Sequence, residues 1–126
     1  MIGINKILIL APHTDDGEFG CGGSIARFVE EGKDVYYAAF STAEESVPDP
    51  WPKDILKTEV REATKRLGIP EKNLFIFNFK VRELSYHRQE ILEELVKMKR
   101  DICPDLVFLP SSSDVHQDHS TISIEG

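Results

Sequence analysis

The hydrophobic positions of this chain fall into short continuous runs that alternate with stretches of helical spacing. Lys6 to Ala11 is uninterrupted Ile, Leu and Ala after its first residue. That is the pattern of a strand buried on both faces, and Pro12 is expected to end it. Ile25, Phe28 and Val29 follow at i, i+3 and i+4 with Gly32 behind them, so the spacing predicts a helix over 22–31 with a glycine C-cap. Asp34 to Ser41 is β-branched and aromatic, a second strand. Ile55, Leu56, Val60, Ala63 and Leu67 recur at helical spacing before Gly68 and Pro70, which gives a helix over 53–67. Leu74 to Phe79 reads as a third strand. A third helix from Tyr86 to Lys99 carries Ile91, Leu92, Leu95 and Met98 on one face and is stopped by Pro104. Asp105 to Pro110 is a fourth strand, apolar through its middle, and Ser111 to His119 is a polar turn into the first turn of another helix.

A strand, a helix and a second strand joined by short loops imply a right-handed crossover and a parallel pair. Four strands alternating with helices make an α/β fold with a mainly parallel sheet, and the usual doubly wound order, 3-2-1-4, sets strands one and four side by side. Their C-terminal turns then face each other. A chain of 126 residues suits a single domain, here residues 1–126, with one core if the sheet is covered on both faces. No internal repeat, low-complexity tract or linker composition points to a second domain.

Charge narrows the partners. A formal net charge of -7 and a pI near 5.1 argue against nucleic-acid binding, which rests on Lys and Arg neutralising phosphates. The N-terminus, Met1-Ile2-Gly3-Ile4-Asn5-Lys6, lacks the layout of a signal peptide, and the longest apolar run is far too short to span a bilayer. A cytoplasmic protein without membrane insertion is expected. Cys21 and Cys103 show no CxxC spacing and read as small buried apolar residues in a reducing compartment.

The candidate chemistry lies in the two turns. Ala11-Pro12-His13-Thr14-Asp15-Asp16-Gly17-Glu18-Phe19-Gly20-Cys21-Gly22-Gly23 follows strand one, and Ser111-Ser112-Ser113-Asp114-Val115-His116-Gln117-Asp118-His119 follows strand four. Open α/β sheets keep their sites at such strand ends. A catalytic zinc site needs three N or O ligands and an open position, and His13, Asp16 and His119 could supply them. Zinc-bound water becomes a nucleophile near neutral pH, and a carboxylate such as Asp15 can take its proton. His116 is then free to stabilise an oxyanion or protonate a leaving amine, and Asp118 to orient an imidazole. A His/His/Asp set also accepts Fe(II), Co(II) or Mn(II).

Each of these residues has a plainer alternative. A lone loop histidine is usually solvated, Asp15-Asp16 suits a helix N-terminus, and Asp118 can be an N-cap. The combination at two adjacent strand ends favours the metal. Gly20-Cys21-Gly22-Gly23 lacks the Lys-Ser/Thr of a P-loop and the full GxGxxG spacing, so nucleotide binding is the weaker reading. Thr42 to Pro52 is an irregular segment with three prolines; its Trp51 either pins the loop to the core or walls a substrate pocket. Glu44, Glu45 and Asp49 fit a solvated loop. Arg82 and His87 flank helix three, with a surface salt bridge the expected role for Arg82, and Tyr86 is expected in packing.

His13-Thr14-Asp15-Asp16, then Gly20-Cys21-Gly22-Gly23, then His116-Gln117-Asp118-His119 resemble the motifs of the LmbE-like (PIG-L) deacetylases. Glu59, Ala63, Leu67, Gly68 and the Pro104-Asp105-Leu106-Val107 strand look similar too. The resemblance covers nearly the whole chain and implies a Rossmann-like three-layer sandwich. It also implies a hydrolase that removes the acetyl group of an N-acetylglucosamine-type amide by attack of metal-bound water, usually with Zn2+. Position by position, His13, Asp16 and His119 would bind the metal. Asp15 would be the general base, and His116, supported by Asp118, the electrophilic or acid histidine. The partner implied is a small N-acetylated sugar or glycoconjugate. Members commonly carry a glutamate directly after the paired aspartates, where this chain has Gly17 and then Glu18.

Members also generally continue well past the second motif, so this chain reads as the N-terminal part of the family's full domain, truncated at its C-terminus. Either it is a fragment or another subunit completes the pocket. Strand four would otherwise be an apolar edge that a partner can cover, which makes a homo-oligomer the expectation. The alternative is a non-catalytic remnant, an oligomerising or binding module that still holds a metal.

Overall fold

The computed structural model describes residues 3–13, 24–41, 50, 55–79, 83–109 and 117–125, with backbone alone at 12, 13, 56 and 117–120. β1 spans Lys6–His13 and β2 Asp34–Ser41. Between them lies helix α1 (24–30). α2 (Ile55–Leu67), β3 (Leu74–Ile76), α3 (Arg88–Ile102), β4 (Leu106–Phe108) and α4 (Gln117–Glu125) follow. The four strands form one parallel sheet in the order β3-β2-β1-β4, as the alternation of elements predicts.

Successive side chains of β1 point to opposite faces, and both faces are apolar. Ile7, Ile9 and Ala11 join a cluster with Ile25 and Phe28 of α1 and Val60 of α2. Leu8 and Leu10 join a second cluster with Phe40, Leu84, Ile91 and Met98, and with Ile122 of α4. Helices therefore cover the sheet on both sides, α1 and α2 on one, α3 and α4 on the other. This is why the strand lacks polar alternation. Full burial of each such side chain contributes about 1.5–3 kcal/mol.

β1 continues through Pro12 instead of ending there. Ala11 pairs with Ala39 and His13 with Ser41, while the pairing with β4 stops at Ile9 and Phe108. Among the described residues, the strand beyond Ile9 has a partner on one side only, so a residue without an N–H can be accommodated. β3 is shorter than its apolar run. It is an edge strand, and past Ile76 the chain stays beside β2 through single hydrogen bonds, Phe77 N–H to the Ala39 carbonyl (2.8 Å) and Phe79 N–H to the Phe40 carbonyl (3.0 Å). The Phe77 ring stacks on Phe40 with centroids 5.3 Å apart.

α1 and α2 end alike. Gly32 and Gly68 take φ of +80° and +88°. Lys33 N–H donates to the Phe28 carbonyl and Ile69 N–H to the Thr64 carbonyl, each at 2.9 Å, which satisfies carbonyls left open at a helix end. α3 ends differently. A residue before proline disfavours the helical region, so Cys103, before Pro104, leaves the helix with φ 52° and ψ 59°. This turns its thiol outward. Cys103 is an exposed free cysteine whose S–H donates to the Arg100 carbonyl, not the buried apolar residue its composition suggests. Cys21 lies outside the described residues. Tyr86, expected in packing, is 77% exposed, because it sits in a 3-10 turn (Leu84–His87) in which Leu84 takes the buried position.

The start of β4 is fastened to the start of β1. The Asp105 carboxylate accepts the N–H groups of Asn5 (2.9 Å) and Lys6 (3.0 Å), and Asp105 N–H donates to the Lys6 carbonyl (2.8 Å). The two backbone N–H groups, first Asn5 and then Lys6, hold this carboxyl below the usual carboxylate range. A lowered folded-state pKa gives stability that is present above the unfolded value and is lost as pH falls through the folded one. The stability gap between wild type and Asp105→Ala is therefore expected to be constant above about pH 5 and to close below about pH 4, as read from urea midpoints along a pH series.

Five of the exposed large hydrophobic residues, Leu92, Val96, Val107, Leu109 and Ile124, lie on or beside α3, β4 and α4. Three of them, Leu92, Val96 and Val107, border a groove of about 590 Å³ whose floor includes Leu8 and Leu10 of β1. Among the described residues, the far side of β4 has no strand partner, and no helix is long and apolar enough to cross a membrane.

Candidate active site at the ends of β1 and β4

Because the sheet is parallel, every strand delivers its C-terminus to the same edge. β1 ends at His13, in register with Ser41 at the end of β2. β4 pairs with β1 on the other side. After β4 the next described element is α4, whose first residues are Gln117, Asp118 and His119, and α4 packs on β1. The element that begins with the second motif thus lies on the strand that ends in the first. Helices switch faces here too: α1 and α2 lie on one side of the sheet, α3 and α4 on the other. This makes the gap between β1 and β4 the topological switch point, where such sheets bind ligands.

Of the residues expected to act, His13 closes β1, and Asp118 and His119 stand in the first turn of α4. Asp15, Asp16 and His116 lie outside the described residues, as do the glycines of 20–23, Trp51, Arg82, and Glu44, Glu45 and Asp49. Among the described residues no group of three His, Cys, Asp or Glu side chains forms a metal centre. His87 is engaged elsewhere. Its Nδ1 lies 2.7 Å from the Glu90 carboxylate, and its ring packs on Phe79 at 5.5 Å.

Two buried polar residues at this edge were not legible as site neighbours. Ser41, fully buried, ends β2 beside His13, and Thr121, 5% exposed, follows His119 by two positions on α4. Both have polar or electrostatic interactions. The only sequence signal for Ser41 is a hydroxyl closing an aromatic, otherwise buried strand.

Comparison with known proteins agrees with this architecture. The chain is 30% identical over 125 residues to diacetylchitobiose deacetylase of Thermococcus kodakarensis, an alignment covering 92% of this chain and 45% of that protein. The structure of N,N'-diacetylchitobiose deacetylase from Pyrococcus horikoshii, complexed with its inhibitor, matches with a TM-score of 0.87 at 27% identity over 98% of this chain and 48% of that one. The conserved protein TT1542 from Thermus thermophilus matches with a TM-score of 0.75 at 29% identity, over 94% of this chain and 52% of its own. The chain thus spans about half the length of these relatives. The model of the family described as GlcNAc-PI de-N-acetylase (PIG-L) matches residues 8–124, nearly the whole chain, and the chain belongs to this family of LmbE-like deacetylases.

Proposed function

We propose that this chain carries the metal-binding and proton-transfer residues of a hydrolase that removes an acetyl group from an N-acetylated sugar, with N-acetylglucosamine units as the substrate class. The observation that carries the reading is the juxtaposition of β1, ending in His13, with α4, beginning at Gln117-Asp118-His119, in a chain whose family is one of de-N-acetylases. Two imidazoles and a carboxylate, His13, His119 and Asp16, suit a divalent transition-metal ion, zinc above all, at a site open to a fourth ligand. When bound, such an ion supplies a water of lowered pKa and polarises the amide carbonyl.

The chain's own residues then divide the work. Asp15, next to a ligand in sequence, takes the proton of the attacking water. His116 donates to the oxygen that becomes negative at the tetrahedral stage, or returns a proton to the departing amine so that it leaves neutral. Asp118 accepts a hydrogen bond from an imidazole and fixes its tautomer. Residues 1–126 act as one α/β unit in this reading, and a homo-oligomer or a further segment of chain completes the pocket wall.

The test is released acetate. Wild-type chain with one equivalent of zinc is expected to release acetate from N-acetylglucosamine or N,N'-diacetylchitobiose, and to retain about one metal per chain by elemental analysis. His119→Ala is expected to lose both. Wild-type chain that holds no metal, or releases no more acetate than His119→Ala, overturns the reading.

A further inference from the structure

We propose that Arg88 and Glu125 are positioning residues for the half of the site carried by α4; this rests on the function proposed above. Arg88 is the first residue of α3 and Glu125 the last of α4. The Arg88 Nε and Nη2 both approach Glu125 Oε1, at 2.7 and 2.6 Å, and the Glu125 side chain is only 12% exposed. The other ion pairs described are more open. Arg27–Glu31, for example, joins side chains 79% and 34% exposed along one helix.

Arg88 stands at the unfavourable end of α3, since a guanidinium at an N-terminus opposes the helix dipole. The pair therefore does nothing for α3 taken without α4. What it does is tie one to the other across 37 residues of chain.

α4 is the element that the tie holds in place. Its apolar anchor is Ile122, fully buried in the cluster with Leu8, Leu10 and Ile91. Ile122 lies three residues after His119 and three before Glu125. At 1.5 Å rise per residue, each end is about 4.5 Å from that pivot, so a displacement of the Glu125 end is mirrored by a similar one at His119. Metal sites tolerate only about 0.2 Å in ligand distance. The Arg88–Glu125 contact is a further fixed point, beyond buried Thr121 and Ile122, that resists this tilt at the Glu125 end.

The experiment is a zinc titration against a chromophoric chelator, with thermal melting of every protein alongside. Glu125→Gln and Arg88→Gln are each expected to weaken zinc binding about tenfold, the lower end of the effect of outer-shell changes. Both should remain folded at the assay temperature. The exchanged pair Arg88→Glu/Glu125→Arg is expected to recover most of the affinity, and Arg27→Gln, which breaks the α1 pair, to leave it unchanged. Zinc affinity in Glu125→Gln and Arg88→Gln equal to wild type, or lowered only by the fraction of chain unfolded, overturns the proposal and leaves the proposed function standing. Wild-type chain that binds no zinc overturns both.

Discussion

Asp15→Asn is expected to release acetate about a thousandfold more slowly than wild type while keeping its metal and its melting temperature. Asparagine matches aspartate in shape and still accepts hydrogen bonds, but it cannot take a proton at neutral pH. A positioned general base contributes roughly 10² to 10⁴ in rate, and the middle of that range sets the expected loss. The comparison that gives the number meaning is with the ligand variants. Asp16→Asn and His13→Ala are expected to lose metal and activity together, whereas Asp15→Asn separates them. Steady-state acetate release and elemental analysis on the same preparation read both quantities. If Asp15 serves only as favourable charge near a helix N-terminus, its neutralisation costs at most about 1 kcal/mol of stability and leaves turnover unchanged, which would remove the base from the mechanism.

Gly68→Ala is expected to lower the melting temperature by about 10 °C, and Gly32→Ala by about half as much. Both glycines cap helices with positive φ, +88° and +80°. A side chain in the left-handed conformation costs roughly 1–2 kcal/mol. Their surroundings differ. A Cβ at Gly32 meets nothing within 4 Å, but at Gly68 it falls 2.6 Å from Cγ1 of Val29, a stiff β-branched side chain of α1 packed against the core. Overpacking of this kind adds about 1–3 kcal/mol. The total near 3 kcal/mol is a large part of the 5–15 kcal/mol typical of a domain, and at this chain length it corresponds to about 10 °C. Adding Val29→Ala to Gly68→Ala should remove the excess and bring the pair close to Gly32→Ala plus the ordinary cost of the valine. Differential scanning calorimetry of wild type, Gly32→Ala, Gly68→Ala, Val29→Ala and the double variant checks the non-additivity.

Parts of this molecule governed by local chemistry are legible in the sequence. β2 begins at Asp34 and ends at Ser41, the bounds its aromatic and β-branched run predicts. The glycine caps at Gly32 and Gly68 fall where the spacing puts them, and the strand order follows from the alternation of elements. Differences arise where a neighbour decides. Pro12 stays in β1 because the pairing with β4 stops short of it. Phe77 and Phe79 leave regular strand geometry because β3, among the described residues, has a partner on one side only. Cys103 is turned outward by the proline that follows it. Within α3, Ile91 and Met98 reach the core, while Leu92 of the same apolar face stays 36% exposed beside the groove. For the candidate site, the sequence brings two motifs to adjacent strand ends, and β1, β4 and α4 are neighbours accordingly. The Arg88–Glu125 tie was not legible, since nothing local distinguishes an arginine and a glutamate 37 residues apart from other surface charges.

The Asp105 contact with Asn5 and Lys6 closes a loop of 100 residues, whereas β1 with β2 and β2 with β3 join positions fewer than forty apart. Closing longer loops costs more chain entropy, and distant pairings slow folding. The N-terminal β-α-β unit can therefore assemble early, and the docking of β4 and α4 comes late. His13 and His119 stand on opposite sides of that step. The end of β1 is in place before α4 docks on it, so metal capture by all three proposed ligands has to await that docking and cannot guide the beginning of folding.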